Sequence, residues 1–200
     1  MRKFGALLFF FLFIQIAVAQ HHELAVTVGG KFTSDQNFNI DPSFAIEGSY
    51  AGRLIHLPLA SLYFELPVAA GLKRTSSSPF GCEDIINPAC ASSSFTTSAL
   101  FIAPGLKVKL APELPVSFYL TAGGGLARFR GASSTGGSTT NNTNTAQFGG
   151  GMDFKIAPFL SFRGEVRDFY SGFPFNPLVP VGGKPRQHNI FTTGGLVLRF

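Results

Sequence analysis

Hydrophobic and polar residues alternate with a period of two along about eight separate segments of the chain. In the segment that begins at Glu23, for example, Leu24, Val26 and Val28 share one parity, while Glu23 and Thr27 have the other. Successive side chains of a β-strand point to opposite faces of its sheet, so each segment is predicted to be a strand with one apolar face. The last segment, 189–200, repeats the pattern, with three apolar side chains opposite Val197 and Arg199: they are Leu196, Leu198 and Phe200. The pattern predicts an all-β protein.

The connections between these segments alternate between long and short. Long polar stretches cover 33–42, 73–94, 131–145 and 173–186, whereas short connections, two of them with Pro, follow the even-numbered segments. Long loops at one end and tight turns at the other are typical of up-and-down barrels, in which both termini lie on the turn side. The sequence therefore predicts an eight-stranded antiparallel up-and-down transmembrane β-barrel.

Two irregularities are predicted within the strands. Pro67 cannot donate a hydrogen bond to its neighbour, which predicts a bulge there. After the glycines at 123–125, Arg128 and Arg130 fall on the same parity as the apolar Phe118. A bulge at these glycines would return both arginines to the interior.

Alternation alone also fits a soluble barrel or sandwich whose apolar face points inward. Composition favours the opposite arrangement, because the chain has 23 Phe, 23 Gly and only 14% charged residues. Opposite the apolar face stand small residues and isolated charges, not the dense charged coat of a solvated surface. Phe also recurs at segment ends, for example at Phe32, Phe44 and Phe118, where an interfacial aromatic girdle would lie. We therefore expect the apolar face to contact lipid.

The first residues have the pattern of a secretory signal peptide. Arg2 and Lys3 precede an apolar run, which ends at the small residues Ala17 and Ala19 before Gln20. The run is shorter than the roughly 20 residues of a membrane anchor helix. We expect cleavage before Gln20, with 1–19 as signal peptide and 20–200 as the barrel domain. The net charge of the chain, +5, is small, and its basic residues are scattered along the sequence. The sequence therefore does not indicate nucleic-acid binding.

Two stretches resemble the small outer-membrane barrel family of the OmpA membrane domain and OmpX. Residues 163–169, Arg-Gly-Glu-Val-Arg-Asp-Phe, are similar to that family's penultimate strand, and 195–200 to its last. The resemblance implies a barrel in outer-membrane lipid, with both termini in the periplasm. It also implies that the outer-membrane assembly machinery reads Phe200 as a C-terminal signal. The chain departs from the family in having no Trp, so that Phe and Tyr must supply the girdles.

Several charged residues fall on the inward parity of the predicted strands. Eight strands leave an interior that side chains fill, and buried charges are costly unless paired. We therefore predict a structural salt-bridge network that includes Glu47, Glu65, Asp153, Arg163, Glu165 and Arg167. Lys107, Lys109, Lys155 and Arg199 are expected in the same interior. Glu165, between Arg163 and Arg167 in the sequence, is expected to be its centre. The alternative is a lumen that conducts ions.

Cys82 and Cys90 lie in one predicted surface loop of an exported chain, which predicts a disulfide between them. A reactive or metal-binding pair is the alternative, although no His or Asp cluster with ligand spacing surrounds them. No residue is assigned to a metal or a cofactor.

The function expected is a structural or surface-interaction role, in which the extracellular loops bind an external ligand. A narrow pore is the first alternative. An outer-leaflet lipid-modifying enzyme is the second, because Asp168, Ser171 and His188 fall near the loop-side rim. Ser171 is off the parity of the other two, so no catalytic residue is assigned and a non-enzymatic protein is expected.

Overall fold

A computed structural model of the chain describes residues 21–34, 39–78, 93–133, 137–172 and 186–200. Side chains are described over 21–33, 43–72, 96–132, 137–172 and 186–200. The strands are β1 (His22–Ser34), β2 (Asn39–His56), β3 (Ala60–Ser78), β4 (Ser93–Ile102), β5 (Gly105–Leu110), β6 (Val116–Ser133), β7 (Ser138–Ala157), β8 (Leu160–Gly172) and β9 (Arg186–Arg199). The predicted cleavage residues Ala17, Ala19 and Gln20 and the cysteines Cys82 and Cys90 lie outside the described residues.

The strands form one closed antiparallel barrel. Consecutive strands pair along the wall, and β1 pairs with β9 to close it. Both β4 and β5 pair with β3 on one side and β6 on the other, so they are two halves of one wall strand, interrupted at Ala103 and Pro104. The wall therefore has eight strands, which confirms the predicted fold.

The predicted bulge at Pro67 is wrong. The pairing of β2 with β3 is regular there, and its register shifts instead between Arg53 and Ile55. Pro67 lies opposite the β4–β5 interruption, where its carbonyl accepts a hydrogen bond from the Ala103 N–H at 3.4 Å. Pro67 lacks an N–H at the place where the hydrogen bonding of β3 to β4 and β5 is already interrupted. A bulge, which would insert an extra residue in one strand, is therefore not needed there.

The bulge predicted at 123–125 is also wrong. The register of β6 is continuous against β4, β5 and β7, so Arg128 and Arg130 keep the parity of Phe118 and point outward. The glycines serve close packing instead: a Cβ at Gly123 would come within 2.7 Å of the Gly105 Cα on β5. Both arginines lie beyond Leu126, the last exposed apolar residue of β6 before the loop end.

The stretch 131–145, predicted to be a loop, is mostly strand. Pairing between β6 and β7 continues without a register shift to Ala132 and Ser138. Likewise, the loop predicted at 33–42 is shorter, because β1 extends to Ser34 and β2 begins at Asn39. The part of a strand that extends beyond the apolar belt needs no apolar face, and Thr favours strand geometry. The change to polar residues therefore did not show where these strands end.

Tight turns at 57–59, 111–115 and 158–159 lie at one end of the barrel, which we call the turn end; the opposite end is the loop end. At the turn end the two termini of the barrel meet, because the His22 N–H donates to the Phe200 carbonyl at 2.9 Å. At its C-terminal side β5 passes into a turn in which Ala111 has a left-handed φ of 49°.

The barrel has its apolar side chains outside and its charged side chains inside. Leu120 is 67% exposed and Ile156 63%, whereas Arg163 and Arg167 are 0% exposed. A barrel that folds in water has the reverse distribution. The outward apolar side chains form a continuous belt, to which every strand contributes. Among the described residues, no helix has the length and apolar character needed to cross a membrane.

Candidate functional site: the barrel interior

Strand alternation brings ten fully buried charged side chains into the interior. The carboxylates are Glu23, Glu47, Glu65, Asp153 and Glu165, and the bases are Lys107, Lys109, Arg163, Arg167 and Arg199. The formal charges of these two sets cancel. The six residues predicted to form a network all lie in this interior, distributed over two connected groups.

The first group lies toward the turn end and is organised by Glu23. Its carboxylate accepts hydrogen bonds from Lys109 at 2.6 Å, Lys107 at 2.9 Å and Arg163 at 3.2 Å. Arg199 Nε stands 3.4 Å away. Glu23 thus contacts four bases, contributed by β5, β8 and β9, and links strands that are far apart in the sequence.

Asp153 on β7 completes the first group. Arg163 donates to it through Nε at 2.8 Å and through a terminal nitrogen at 3.0 Å, a fork geometry that suits a carboxylate. Lys109 and Arg199 donate to it at 2.5 and 3.3 Å. Three bases are therefore shared between Asp153 and Glu23, so that each has a second acidic partner.

The second group lies deeper and is organised by Arg167. This guanidinium donates to Glu165, to Glu65 at 3.1 Å and to the Gln147 side-chain carbonyl at 3.1 Å. Glu47 stands 3.1 Å from Arg167 Nε, but neither of its oxygens has a hydrogen bond in the described structure. Lys107 connects the two groups, because it also donates to Glu65 at 3.3 Å.

Aromatic and hydroxyl side chains complete the hydrogen bonding around the ions. The Tyr119 hydroxyl donates to Glu165 at 2.6 Å, and its ring lies 4.6 Å from the Arg163 guanidinium. Thr121 donates to Glu65 at 2.9 Å. Buried charges are tolerated where their remaining donors and acceptors find partners, which this surrounding supplies for Glu65 and Glu165.

The connections within the network differ from the prediction in two respects. Glu165 contacts Arg167 and Tyr119 but forms no ion pair with Arg163, so it is not the centre between two arginines. Glu23 was not part of the predicted network, yet it contacts more bases than any other described carboxylate. The alternation in the sequence shows that Glu23 points inward, but it does not show at which level along the barrel axis the side chain lies. Lys155 is half-buried near the turn end and outside the network.

Above the ions, toward the loop end, the interior contains a layer of aromatic side chains, with Lys31 Nζ 5.8 Å from the Phe101 ring. Four phenylalanine rings pack together there: Phe101, Phe129, Phe169 and Phe191. The Phe101 ring lies centrally, 4.8 Å from Phe169 and 5.6 Å from each of the other two. We call this the phenylalanine layer. The layer was not predicted, because its members come from four different wall strands.

The three residues considered for a hydrolase do not form a triad. His188 Nδ1 and Asp168 lie 2.5 Å apart on the outer face of the wall, where Tyr170 packs against the imidazole. Ser171 lies on the inner face, where its hydroxyl accepts a hydrogen bond from the Asn189 side chain at 3.2 Å. The sheet therefore separates the serine from the histidine that would have to activate it.

Phe200, predicted to be an assembly signal, lies at the turn end with its side chain 45% exposed. Its ring is 5.8 Å from that of His22, and its N–H donates to the His22 carbonyl at 3.1 Å. The side chain thus belongs to the outward apolar face of β9, together with Leu196 and Leu198.

The interior geometry suits a filled, rigid tube more than a reaction site. Within the described ranges, no group of three or more His, Cys, Asp or Glu side chains has a metal-binding arrangement. The carboxylates are held by bases, Tyr or Thr, and the phenylalanine layer stands between them and the loop end. The ion pairs of the interior join strands that lie on different sides of the barrel axis.

Comparison with known proteins identifies the fold. No protein-family model matches the chain, and no curated protein sequence is similar to it. Among solved structures, Neisserial surface protein A has a TM-score of 0.56 and 13% identity, over 90% of this chain and 97% of that one. A major outer membrane protein from Thermus thermophilus has a TM-score of 0.55 and 14% identity, over 90% and 99%.

A third similar structure is Ail, the attachment invasion locus protein of Yersinia pestis, solved in complex with the heparin analogue sucrose octasulfate. Its TM-score is 0.53 at 13% identity, and the match covers 89% of this chain and 99% of Ail. The chain thus has the fold of small outer-membrane β-barrels. The predicted resemblance to the OmpA- and OmpX-like barrels is confirmed at the level of the fold.

Proposed function

We propose that this chain is an integral protein of the bacterial outer membrane, with a structural or surface-interaction role through the connections at its loop end. The observation that carries the proposal is the inverted distribution of polarity. Side chains such as Leu120 and Ile156 are exposed on the outside, and the paired ions are inside. That distribution is stable where lipid surrounds the wall and unstable in water.

The surface-interaction role is supported by the rigidity of the tube and by its neighbours in fold. The ion pairs join strands from all sides of the wall, which makes the barrel a fixed support for its loop-end connections. Neisserial surface protein A and Ail are, by their names, a surface protein and an attachment protein on the same fold. We propose that an extracellular ligand binds this chain at its loop end.

The orientation and the assembly route follow from the same proposal. Both termini of the barrel lie at the turn end, which we place in the periplasm, and the loop end faces outward. Phe200 would be read there by the outer-membrane assembly machinery. Deletion of Phe200 should reduce the amount of assembled barrel while export across the inner membrane continues. Normal assembly of the deletion variant would contradict this role of the terminal aromatic residue.

The membrane placement can be tested with purified protein. In detergent micelles the folded barrel should resist dodecyl sulfate until it is heated, so that unheated and boiled samples migrate differently on a gel. In buffer without detergent or lipid, the protein should aggregate. A monodisperse, fully folded sheet protein in plain buffer would refute the proposal.

The described interior does not favour the alternative of a narrow pore. Above the ion pairs, the four rings of the phenylalanine layer are almost completely buried. We therefore expect no discrete conductance from folded protein in a planar bilayer. Repeated single-channel steps would show that the layer opens and that the pore is the correct function.

A further inference from the structure

Arg128 and Arg130 stand on the outside of the barrel without a partner in the described structure. Both side chains are exposed, and neither forms an ion pair or a side-chain hydrogen bond with another described residue. Unpaired arginines are rare on the wall of a membrane barrel, because a charge on the lipid face costs several kcal/mol at the bilayer midplane. Their height on the wall therefore decides what they contact.

The two arginines lie just above the apolar belt. On β6 the outward apolar residues extend from Phe118 to Leu126, about 26 Å along the strand at about 3.3 Å per residue. A strand tilt of about 40° reduces this to a height of about 20 Å, close to the apolar band of outer-membrane barrels. Arg128, the next outward residue, therefore falls at the level of the lipid headgroups.

On the β7 side the neighbours of the arginines are neutral hydrogen-bonding side chains, whereas on the β4 side Arg128 is paired with Leu100 and Arg130 with Ser98. Arg128 is paired in the sheet with Asn142, and Arg130 with Thr140, while Asn144 stands opposite Leu126. All three neighbours on β7 are exposed. We call these five residues the rim patch: Arg128, Arg130, Thr140, Asn142 and Asn144.

No described carboxylate neutralises the rim patch. Among the side chains that the structure describes, Asp168 is the one acid on the outer face of the loop half, and it is held by His188 at 2.5 Å. The rim patch is therefore a surface of net positive charge at a lipid boundary. Such a surface attracts anions located at that depth.

A cleft continues the rim patch toward β8 and β9. It has a volume of about 490 Å³ and opens over the loop-side edge of the wall, because its lining combines the outward Asn144, Tyr170 and Arg186 with the inward Thr145 and Ser171. The Arg186 guanidinium lies 5.4 Å from the Tyr170 ring, which fixes a third cation at the far side of the cleft. Its volume is in the range of sites that hold small ligands. An aromatic ring and amide side chains beside arginines suit a phosphorylated sugar.

We propose that the rim patch and the adjoining cleft bind the phosphorylated headgroup of an outer-leaflet glycolipid. Arg128 and Arg130 would hold a phosphate through their planar forks, and Asn142 and Asn144 would donate to sugar hydroxyls. The acyl chains would lie on the apolar surface directly below. This position selects a membrane-anchored ligand over a soluble anion. The inference rests on the proposed outer-membrane location of the barrel.

The test compares lipid binding by three forms of the full chain folded in detergent micelles. They are the wild type, Arg128→Gln/Arg130→Gln, and the control Arg53→Gln/Lys155→Gln, which removes the same charge at the turn end. Native mass spectrometry would measure binding of lipid A with both phosphates and of lipid A with both removed. Dodecyl sulfate resistance before heating would confirm that each form is folded.

We expect the rim variant to bind diphosphorylated lipid A about 25-fold more weakly than the wild type, at about fivefold per arginine. The control should bind like the wild type, and removal of the phosphates should abolish the difference between the forms. Equal binding by the folded rim variant and the wild type would overturn the inference and leave the outer-membrane proposal intact. Preference for soluble heparin over lipid A at the same arginines would also overturn it. Failure of the wild type to fold in micelles would contradict the proposed function itself.

Discussion

The ion network makes a quantitative prediction at Glu23. Replacement by Gln keeps the size of the side chain and removes one negative charge from the ten buried ions, whose formal charges cancel. Four bases lose a partner: Lys107, Lys109, Arg163 and Arg199. Removal of one member of a buried ion pair typically costs about 3–5 kcal/mol, because the remaining charge is left uncompensated.

The structure places the expected cost near the lower limit of that range. Lys107 retains Glu65 at 3.3 Å, and the other three bases retain Asp153 at distances between 2.5 and 3.3 Å. Because each base keeps one acidic partner, none becomes fully unpaired. We expect Glu23→Gln to lower the free energy of unfolding by about 3 kcal/mol.

The assay is urea unfolding of the barrel in phospholipid vesicles. The chain contains no Trp, so circular dichroism of the sheet, supported by the migration of unheated samples on gels, is the appropriate signal. The transition midpoint should fall for Glu23→Gln while its slope stays unchanged, because the substitution alters stability without altering the surface exposed on unfolding.

Glu47→Gln is the matched control. It makes the same chemical change in the same interior, but Glu47 contacts Arg167 alone, without a hydrogen bond, and Arg167 keeps Glu65 and Glu165. We expect a loss of less than about 1 kcal/mol. Equal losses for the two substitutions would show that net charge, and not the number of ionic contacts, determines stability. No loss at Glu23 would refute the network as a source of stability.

Two further pairs of substitutions test the wall. Leu120→Arg, on the outward belt, should cost about 2–4 kcal/mol in vesicles, whereas Ala132→Arg, beyond the belt, should cost less than about 1; equal costs in the urea assay would contradict the assigned belt. Gly151→Ala should cost about 1–3 kcal/mol, because its Cβ would collide with the Gly164 carbonyl oxygen and come within 2.7 Å of the Tyr119 hydroxyl. Gly164→Ala, with open space around its Cβ, should cost less than about 0.5 kcal/mol. A larger loss for Gly164→Ala would contradict this packing.

The direction in which each side chain points was the most predictable property of this chain. A period of two assigns residues to faces without any knowledge of their partners, and the register of β6 never slips. Strand number followed from the same pattern. The interruption at Pro104 left the parity unchanged, so Lys107 and Lys109 stayed on the inside as predicted.

Height along the barrel axis could not be predicted from the sequence. Glu23 is 84 and 140 residues from Lys107 and Arg163 in the chain, and closure of the barrel alone brings them together. The phenylalanine layer has the same origin, since Phe101 and Phe191 meet across the closed tube. Stagger between strands sets such contacts, and parity carries no information about stagger.

The wrong prediction for Arg128 and Arg130 had a related cause. The cost of a charge on the wall was applied along the whole of β6, although it holds only where the wall meets hydrocarbon. The stretch 131–145 was then interpreted as a loop because it is polar, which concealed that β6 and β7 continue past the belt. The same continuation produces the rim patch.

An ionic interior also specifies the fold in a way that an apolar interior could not. If both faces of the wall were apolar, a strand that slipped by one residue would exchange two equally acceptable faces. With Arg163 and Arg167 on the inner face of β8, the same slip would place both in hydrocarbon, at about 2–4 kcal/mol each. The ion pairs therefore stabilise one register even where their net contribution to stability is small. A fixed register on β8 and β9 in turn fixes Tyr170 and Arg186 beside the rim patch, so the interior network determines the geometry of the outer surface.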